Sequence, residues 1–232
     1  MFDGIFAMSR STELSTEPVD VPRIFVIDDD AGARESVKVL LEPLGYPVLT
    51  FESGEAFLES LNDIEVAFGC ALIDLRLKGM SGLSVLRALR ESQPCVVPLL
   101  LTAFADVKVV VDALSSGAAT VITKPYRDQD LWDSVSSGLV RSEKLVAEHR
   151  RKETLRAQFN RLTGSELQIL RCLLRGDSNK QVAAVCDISV RTVGIRRAAI
   201  LKKMVAASIL ELSWRIANSG LKFGLNSEEG AF

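Results

Sequence analysis

Five side chains in this sequence are of the types that together can handle a phosphoryl group. Asp28 and Asp29 follow the apolar run Ile24–Ile27, and Asp74 closes the run that begins at Cys70. Thr102 closes Val96–Leu101, and Lys124 follows Thr120–Thr123. Short apolar runs of this kind read as buried strands. Open parallel sheets place their sites at the carboxyl ends of such strands. Carboxylates brought together there repel one another and need a cation. An oxygen-only donor set without His or Cys suits Mg2+ or Mn2+ better than zinc. A nucleophilic carboxylate, a metal on its oxygens, a hydroxyl and an ammonium group are the parts that phosphoryl transfer requires. Asp74 is the candidate nucleophile.

The rest of the composition narrows the field. The 232 residues are 47% hydrophobic and 25% charged, enough for two ordinary globular domains. No apolar run reaches the ~20 residues of a membrane helix, so a soluble cytoplasmic protein with no membrane partner is expected. His149 is the single histidine and lies in a charged run, which argues against a His-based metal site or a Ser-His-Asp triad. Cys70, Cys95, Cys172 and Cys186 are far apart in apolar surroundings and read as reduced core thiols. Charge is split along the chain. Residues 1–140 carry 11 Lys and Arg against 21 Asp and Glu, a net −10; residues 141–232 carry 17 against 9, a net +8. An acidic half followed by a basic half suggests two functions, one of them on nucleic acid.

The elements that must position the acidic site alternate. Strands are expected at Arg23–Ile27, Pro47–Phe51, up to Asp74, up to Thr102 and at Thr120–Thr123. Helices are expected at Ala33–Leu44, from the cap Ser53 to Leu61, at Leu83–Glu91, at Val107–Ser115 and from Asp128 onward. Five alternations predict an α/β fold with a doubly wound, five-stranded parallel sheet. The last helix carries a stripe of Leu131, Val135, Leu139 and Val146 that dissolves near Glu148. Residues 141–161 therefore read as a charged helical linker. Four short helices without strands follow: Ser165–Arg175, Asn179–Val185, one capped by Ser189 through Met204, and Ala207–Ala217. They predict a small all-α domain over 162–220. Residues 1–21 and 221–232 read as tails.

In the third of these helices, Arg191, Arg196, Arg197, Lys202 and Lys203 form a basic set, while Val193, Ile200 and Met204 face inward. A capped helix of this kind in a helix-turn-helix suits the DNA major groove.

The order Asp28-Asp29, Asp74, Thr102, Lys124-Pro125, each at a strand end, resembles the receiver domain of two-component response regulators from about Pro22 to Leu139. The resemblance implies a flavodoxin-like receiver over 22–140, phosphorylated on Asp74 by a histidine kinase. It implies Mg2+ held by Asp28, Asp29, Asp74 and the main-chain carbonyl of Arg76, with Thr102 and Lys124 on the phosphoryl oxygens. Pro125 is expected to be cis, as in the family. Two positions depart from the pattern. Leu77-Lys78 stands where Met-Pro is usual, and Val121 stands where the switching aromatic is usual.

The stretches Leu162-Thr-Gly-Ser-Glu166, Gly176-Asp-Ser-Asn-Lys180 and Ile188-Ser-Val-Arg-Thr-Val193 resemble the LuxR-type DNA-binding domain of FixJ/NarL-class regulators, from about Leu162 to Ile216. By that resemblance Lys180 and Arg191 hold phosphates, and Gly194 to Arg197 face the groove. The expected DNA-binding set is Lys180, Arg191, Thr192, Ile195, Arg196, Arg197 and Lys203, with Arg196 and Arg197 as base readers. Gly194 stands where a charged side chain is common, and Arg196 replaces a common His.

The expected protein is a response regulator, not an enzyme. Its partners would be DNA, a cognate histidine kinase, a second copy of itself when active, and RNA polymerase. The alternative is a receiver that dimerises and controls DNA binding without phosphorylation, which Val121 and Lys78 motivate. A Mg2+-dependent phosphohydrolase is disfavoured, because Arg76 stands where such enzymes place a second Asp.

Overall fold

A computed structural model describes residues 21–62 and 68–221. The expected tails lie, but for Val21 and Leu221, outside the described residues. The chain divides into two compact units, one up to Glu143 and one from Lys144.

The first unit alternates strand and helix: β1 (Arg23–Ile27), α1 (Ala31–Leu41), β2 (Val48–Phe51), α2 (Gly54–Ser60), β3 (Gly69–Asp74), α3 (Gly82–Ser92), β4 (Val96–Thr102), α4 (Val107–Ser116), β5 (Thr120–Thr123) and α5 (Asp128–Phe159). The five strands form one parallel sheet in the order β2-β1-β3-β4-β5. Every residue of β3 and β4 is buried. That is why these two strands are continuous apolar runs without alternation. The register pairs Ile27 with Ile73, Asp74 with Leu101 and Thr102 with Thr123. Asp28, Asp74, Thr102 and Lys124 therefore leave the sheet along one edge. Beneath them Phe25, Phe51 and Phe57 meet with ring centroids 5.3 to 6.4 Å apart.

Some boundaries differ from the sequence reading for local reasons. Asp30 accepts from the Ala33 N–H at 2.7 Å, so α1 begins at Ala31 rather than Ala33. The α-helix stops at Leu41, and a 3-10 turn over Glu42–Leu44 follows with Pro43 near its start. Pro43 has no N–H to continue the α ladder. Ser208 accepts from the Glu211 N–H at 3.1 Å and sets the last helix at Ile209–Ser219 rather than Ala207–Ala217.

The stretch 141–161, expected as a helical linker, continues the helix from the first unit. Its residues up to Phe159 belong to α5, and the two ends of that stretch are buried in different cores. Ser142, in the first unit, is wholly buried. Its hydroxyl accepts the Gly69 N–H at 2.7 Å and donates to the Cys95 carbonyl at 2.6 Å. Gly69 has a φ of +132°, and a Cβ there would fall 1.8 Å from the Arg23 carbonyl oxygen, so only glycine fits. Ser142 thus ties α5 to the amino ends of β3 and β4.

The second unit takes the end of α5 and adds α6 (Gly164–Leu174), α7 (Asn179–Val185), α8 (Val190–Lys203) and α9 (Ile209–Ser219). Leu155, Phe159 and Leu162 are buried with Ile169, Leu170, Val182, Val193, Ile200, Met204 and Leu212 in one cluster. Two large apolar side chains of the 141–161 stretch, Leu155 and Phe159, thus join Leu162 in completing a core. Thr163 with Glu166, and Ser178 with Gln181, form capping boxes that start α6 and α7.

Ser142→Ala strands the buried Gly69 N–H. A loss of ~1–3 kcal/mol is expected, read as a lower urea midpoint for the full chain at unchanged m-value. An unchanged midpoint would show that the hydroxyl is not a tie.

Candidate functional site

The acidic site is assembled around one ammonium group. Lys124 Nζ lies 2.8 Å from Asp28 Oδ2 and 2.6 Å from Asp74 Oδ1. Asp28 and Asp74 are buried, at 4% and 9% exposure, and Lys124 is half-buried. The remaining carboxylate oxygens are also engaged. Asp74 Oδ2 accepts the Arg76 N–H at 2.6 Å, and Asp28 Oδ1 accepts the Asp30 N–H at 2.9 Å. Arg34 donates to the Asp28 carbonyl at 2.7 Å. Burial pulls the Lys124 pKa down, but the bonds to Asp28 and Asp74 and their charges outweigh it and leave the ammonium above its ordinary value. Gly82, at the start of α3, lies against this loop. A Cβ there would fall 2.3 Å from the Asp74 carbonyl oxygen.

Asp28, Asp74 and Lys124 are thus in contact as the sequence predicts. Asp29 and Thr102 are not part of that network. Asp29 Oδ2, half-buried, faces the exposed Lys78 Nζ at 3.2 Å. The Thr102 hydroxyl is bonded to the Phe104 carbonyl and accepts the Phe104 N–H, each at 3.1 Å. The sequence reading missed the mouth of the site. There the Arg76 guanidinium lies 5.0 Å from the Phe104 ring centroid. An aromatic two residues past Thr102 was the available signal. Pro125 follows a cis peptide bond.

Among the described residues no group of three or more His, Cys, Asp or Glu side chains stands ready to hold a metal ion. The donor chemistry, oxygen throughout, fits a hard divalent cation. Lys124 supplies positive charge between Asp28 and Asp74, and Asp29 is directed to Lys78.

The basic site is α8 with α7 before it. Val193, Ile200 and Met204 are wholly buried, as expected. With 3.6 residues per turn, Arg191, Ile195, Ala198 and Lys202 occupy the opposite side, and all four are exposed. Lys180, on α7, is exposed as well, and Thr192 is half-buried. Arg196 and Arg197, expected as base readers, are half-buried and flank the packed face. The centre of the outward face is instead Ile195 and Ala198. Lys203, also expected among the DNA contacts, has a partner within the unit. Its Nζ lies 2.8 and 2.7 Å from the two oxygens of Glu166, tying α8 to α6. The Lys203 ammonium and the Thr163 N–H and hydroxyl together outweigh burial and hold the Glu166 carboxyl below its ordinary value. A Cβ on Gly194 would meet no atom within 4 Å, so packing does not require a glycine there.

Residues 24–136 match the response regulator receiver domain, and residues 160–214 match the luxR family of bacterial regulatory proteins. The chain belongs to the two-component response regulators that join a receiver to a LuxR-type DNA-binding domain, a family of transcriptional regulators. It is 34% identical to the transcriptional regulatory protein FixJ of Bradyrhizobium diazoefficiens over 82% of this chain and 91% of that protein. It is 37% identical to FixJ of Azorhizobium caulinodans over 84% of this chain and 91% of that one. The solved structure of the response regulator StyR covers 85% of this chain and 99% of its own at 31% identity, with a TM-score of 0.73. No helix among the described residues is long and apolar enough to cross a membrane.

Because the Glu166 pKa is lowered on folding, its stabilising contribution is full above the ordinary glutamate value of about 4.3 and is lost as pH falls through the lower folded value. Glu166→Gln should therefore lower the melting temperature at neutral pH and flatten its fall below about pH 4.5. Equal acid slopes for the two proteins would remove Glu166 from the account. Gly194→Ala should stabilise the second unit by ~1 kcal/mol through helix propensity alone, read by thermal denaturation; a loss of stability would mean that the glycine is structurally needed.

Proposed function

We propose that this protein is a cytoplasmic response regulator whose Asp74 takes a phosphoryl group from a histidine kinase and thereby controls DNA binding by the second unit. The observation that carries this reading is the Lys124 ammonium 2.6 Å from Asp74 Oδ1, at the carboxyl edge of a parallel sheet. In the transfer, a carboxylate oxygen of Asp74 attacks the phosphorus of a phosphohistidine. The P–O bond forms as the P–N bond breaks, and the imidazole nitrogen leaves with the electron pair. Lys124 stands beside the attacking group and can face the charge that gathers on the phosphoryl oxygens. For Thr102 to serve those oxygens, its hydroxyl must leave the Phe104 main chain. Asp28, Asp29 and Asp74 with the Arg76 carbonyl would hold Mg2+, which would supply charge neutralisation. Asp29 must release Lys78 to take part.

The DNA contacts are assigned to Lys180, Arg191, Thr192, Ile195, Arg196, Arg197 and Lys203, of which Lys203 must release Glu166 to take part. A homodimer is the active form proposed, since paired helix-turn-helix units read paired half-sites, and RNA polymerase is the downstream partner. The functional division proposed is a receiver over 22–140 and a DNA-binding domain over 162–220.

Acetyl phosphate with Mg2+ should add one phosphoryl group to the full chain by intact mass, and Asp74→Asn should abolish the gain. Lys124→Ala should slow the labelling by roughly tenfold to a thousandfold. No gain on the wild-type chain would favour a receiver that works by dimerisation alone.

A further inference from the structure

The second unit holds a cavity that neither site described above uses. It lies between residues 150–155 of α5 and residues 214–219 of α9, with a volume of about 540 Å3. Each helix lines it with residues at i, i+1, i+4 and i+5, the spacing of one helix face. Leu155, a buried member of the core, gives it an apolar wall. Trp214 lines it too, and its side chain is 68% exposed. The charged groups around it are Arg150, Arg151 and Arg215, and no acidic side chain stands among the described residues that line it.

One of these cations is fixed in advance. Arg215 Nη1 donates to the Met204 and Val205 carbonyls at 3.0 and 2.9 Å, and Nη2 donates to Gln158 Oε1 at 3.0 Å. A guanidinium already held in place loses little side-chain freedom when a ligand arrives. Three guanidinium groups around one cavity repel one another, and an anion among them removes that cost. Size and shape narrow the choice of anion. A small inorganic ion takes the room of a few waters, ~30 Å3 each, and leaves most of this cavity open. Clefts of roughly 300–1,000 Å3 suit whole organic ligands. The planar fork of an arginine pairs with phosphate or carboxylate, and an exposed indole offers a face on which a flat ring stacks.

We infer that the cavity between α5 and α9 is a binding site for a planar polyanion of nucleotide size. Trp214 takes the ring, and Arg150, Arg151 and Arg215 take the anionic groups. Asn218, whose amide nitrogen donates to the Trp214 carbonyl at 2.9 Å, has a side-chain oxygen with which to accept from the edge of the ring. The inference stands on this cavity alone and uses neither the phosphorylation of Asp74 nor the DNA contacts of α8. Nucleotides and aromatic dicarboxylates share the required chemistry, a flat ring with two or more negative charges.

The test titrates the full chain calorimetrically with ADP, adenosine, pyrophosphate and isophthalate, without added Mg2+ so that the acidic site of the first unit stays out of the measurement. ADP should saturate one site per chain and bind roughly tenfold more tightly than either adenosine or pyrophosphate, since each lacks one half of the recognition. Trp214→Ala should weaken ADP by roughly tenfold and leave pyrophosphate unchanged. Arg151→Gln should weaken ADP and pyrophosphate alike and leave adenosine unchanged. Isophthalate binding more tightly than ADP, with the same dependence on Trp214 and Arg151, upholds the site and makes its ligand an aromatic carboxylate. Equal binding of ADP and pyrophosphate overturns the inference, because the arginines then act as a basic patch without a ring site. Absence of saturable binding by both ADP and isophthalate overturns it as well. So does a Trp214→Ala chain that sediments as a smaller species than a wild type that binds no ADP, which gives this face to a second copy. The comparison of probes needs only the wild-type chain, so it decides the matter even if a variant does not fold.

Discussion

Two buried carboxylates at the end of a sheet are the constraint that organises the first unit. Removing such charges from water costs several kcal/mol each unless they are paired and hydrogen-bonded. Lys124 answers both at once, at 2.8 Å from Asp28 and 2.6 Å from Asp74. That contact is possible only if β1, β3 and the end of β5 are level along one edge, although β5 is separated from β3 by β4. The main-chain N–H groups of Asp30 and Arg76 take the oxygens that Lys124 leaves. The fold thus holds the Asp74 carboxylate in one orientation, with both oxygens bonded. Asp29 and Thr102 stand apart, on Lys78 and on the Phe104 main chain, so the receiver's remaining groups are available but differently engaged.

The second unit solves a different problem. Its helices are short, and short helices are marginal in water without packing and caps. Thr163, Ser178, Ser189 and Ser208 each cap a helix, and Leu155, Phe159 and Leu162 add apolar volume that the four helices do not supply alone. The Glu166–Lys203 pair then joins the first of these helices to the end of α8. The result is a helix whose inward face is fully committed. Its outward face owes nothing to stability and can be given over to a partner.

Much of this was legible in residue order. The buried strands were visible because a strand covered on both faces must be apolar throughout, as Cys70 to Ile73 and Val96 to Leu101 are. The carboxylates were visible because charge at the end of such a run is costly and has to be answered. The caps Ser53 and Ser189 were visible because a hydroxyl before a helical stripe takes an orphan N–H. Ser142 was invisible: a lone serine between Arg141 and Glu143 gives no sign that it will be wholly buried between two strand ends. The Lys203 pair with Glu166 was invisible for a similar reason. The two residues lie 37 positions apart, and a lysine beside other basic residues looks like part of their set.

The sequence by itself determined the two-unit plan, the five-stranded parallel sheet and the acidic triplet of strand ends. These follow from local patterns of burial, charge and capping that need only a few neighbouring residues. Tertiary structure alone decided which of the candidate groups meet. That Asp29 pairs with Lys78, that Lys203 pairs with Glu166, and that Ile195 rather than Arg196 occupies the outward centre of α8 depend on register and on the rotation of each helix about its axis. A helix turns ~100° per residue, so one position's difference moves a side chain from the core's flank to the solvent. The core settles that rotation as a whole, through contacts between residues far apart in the chain.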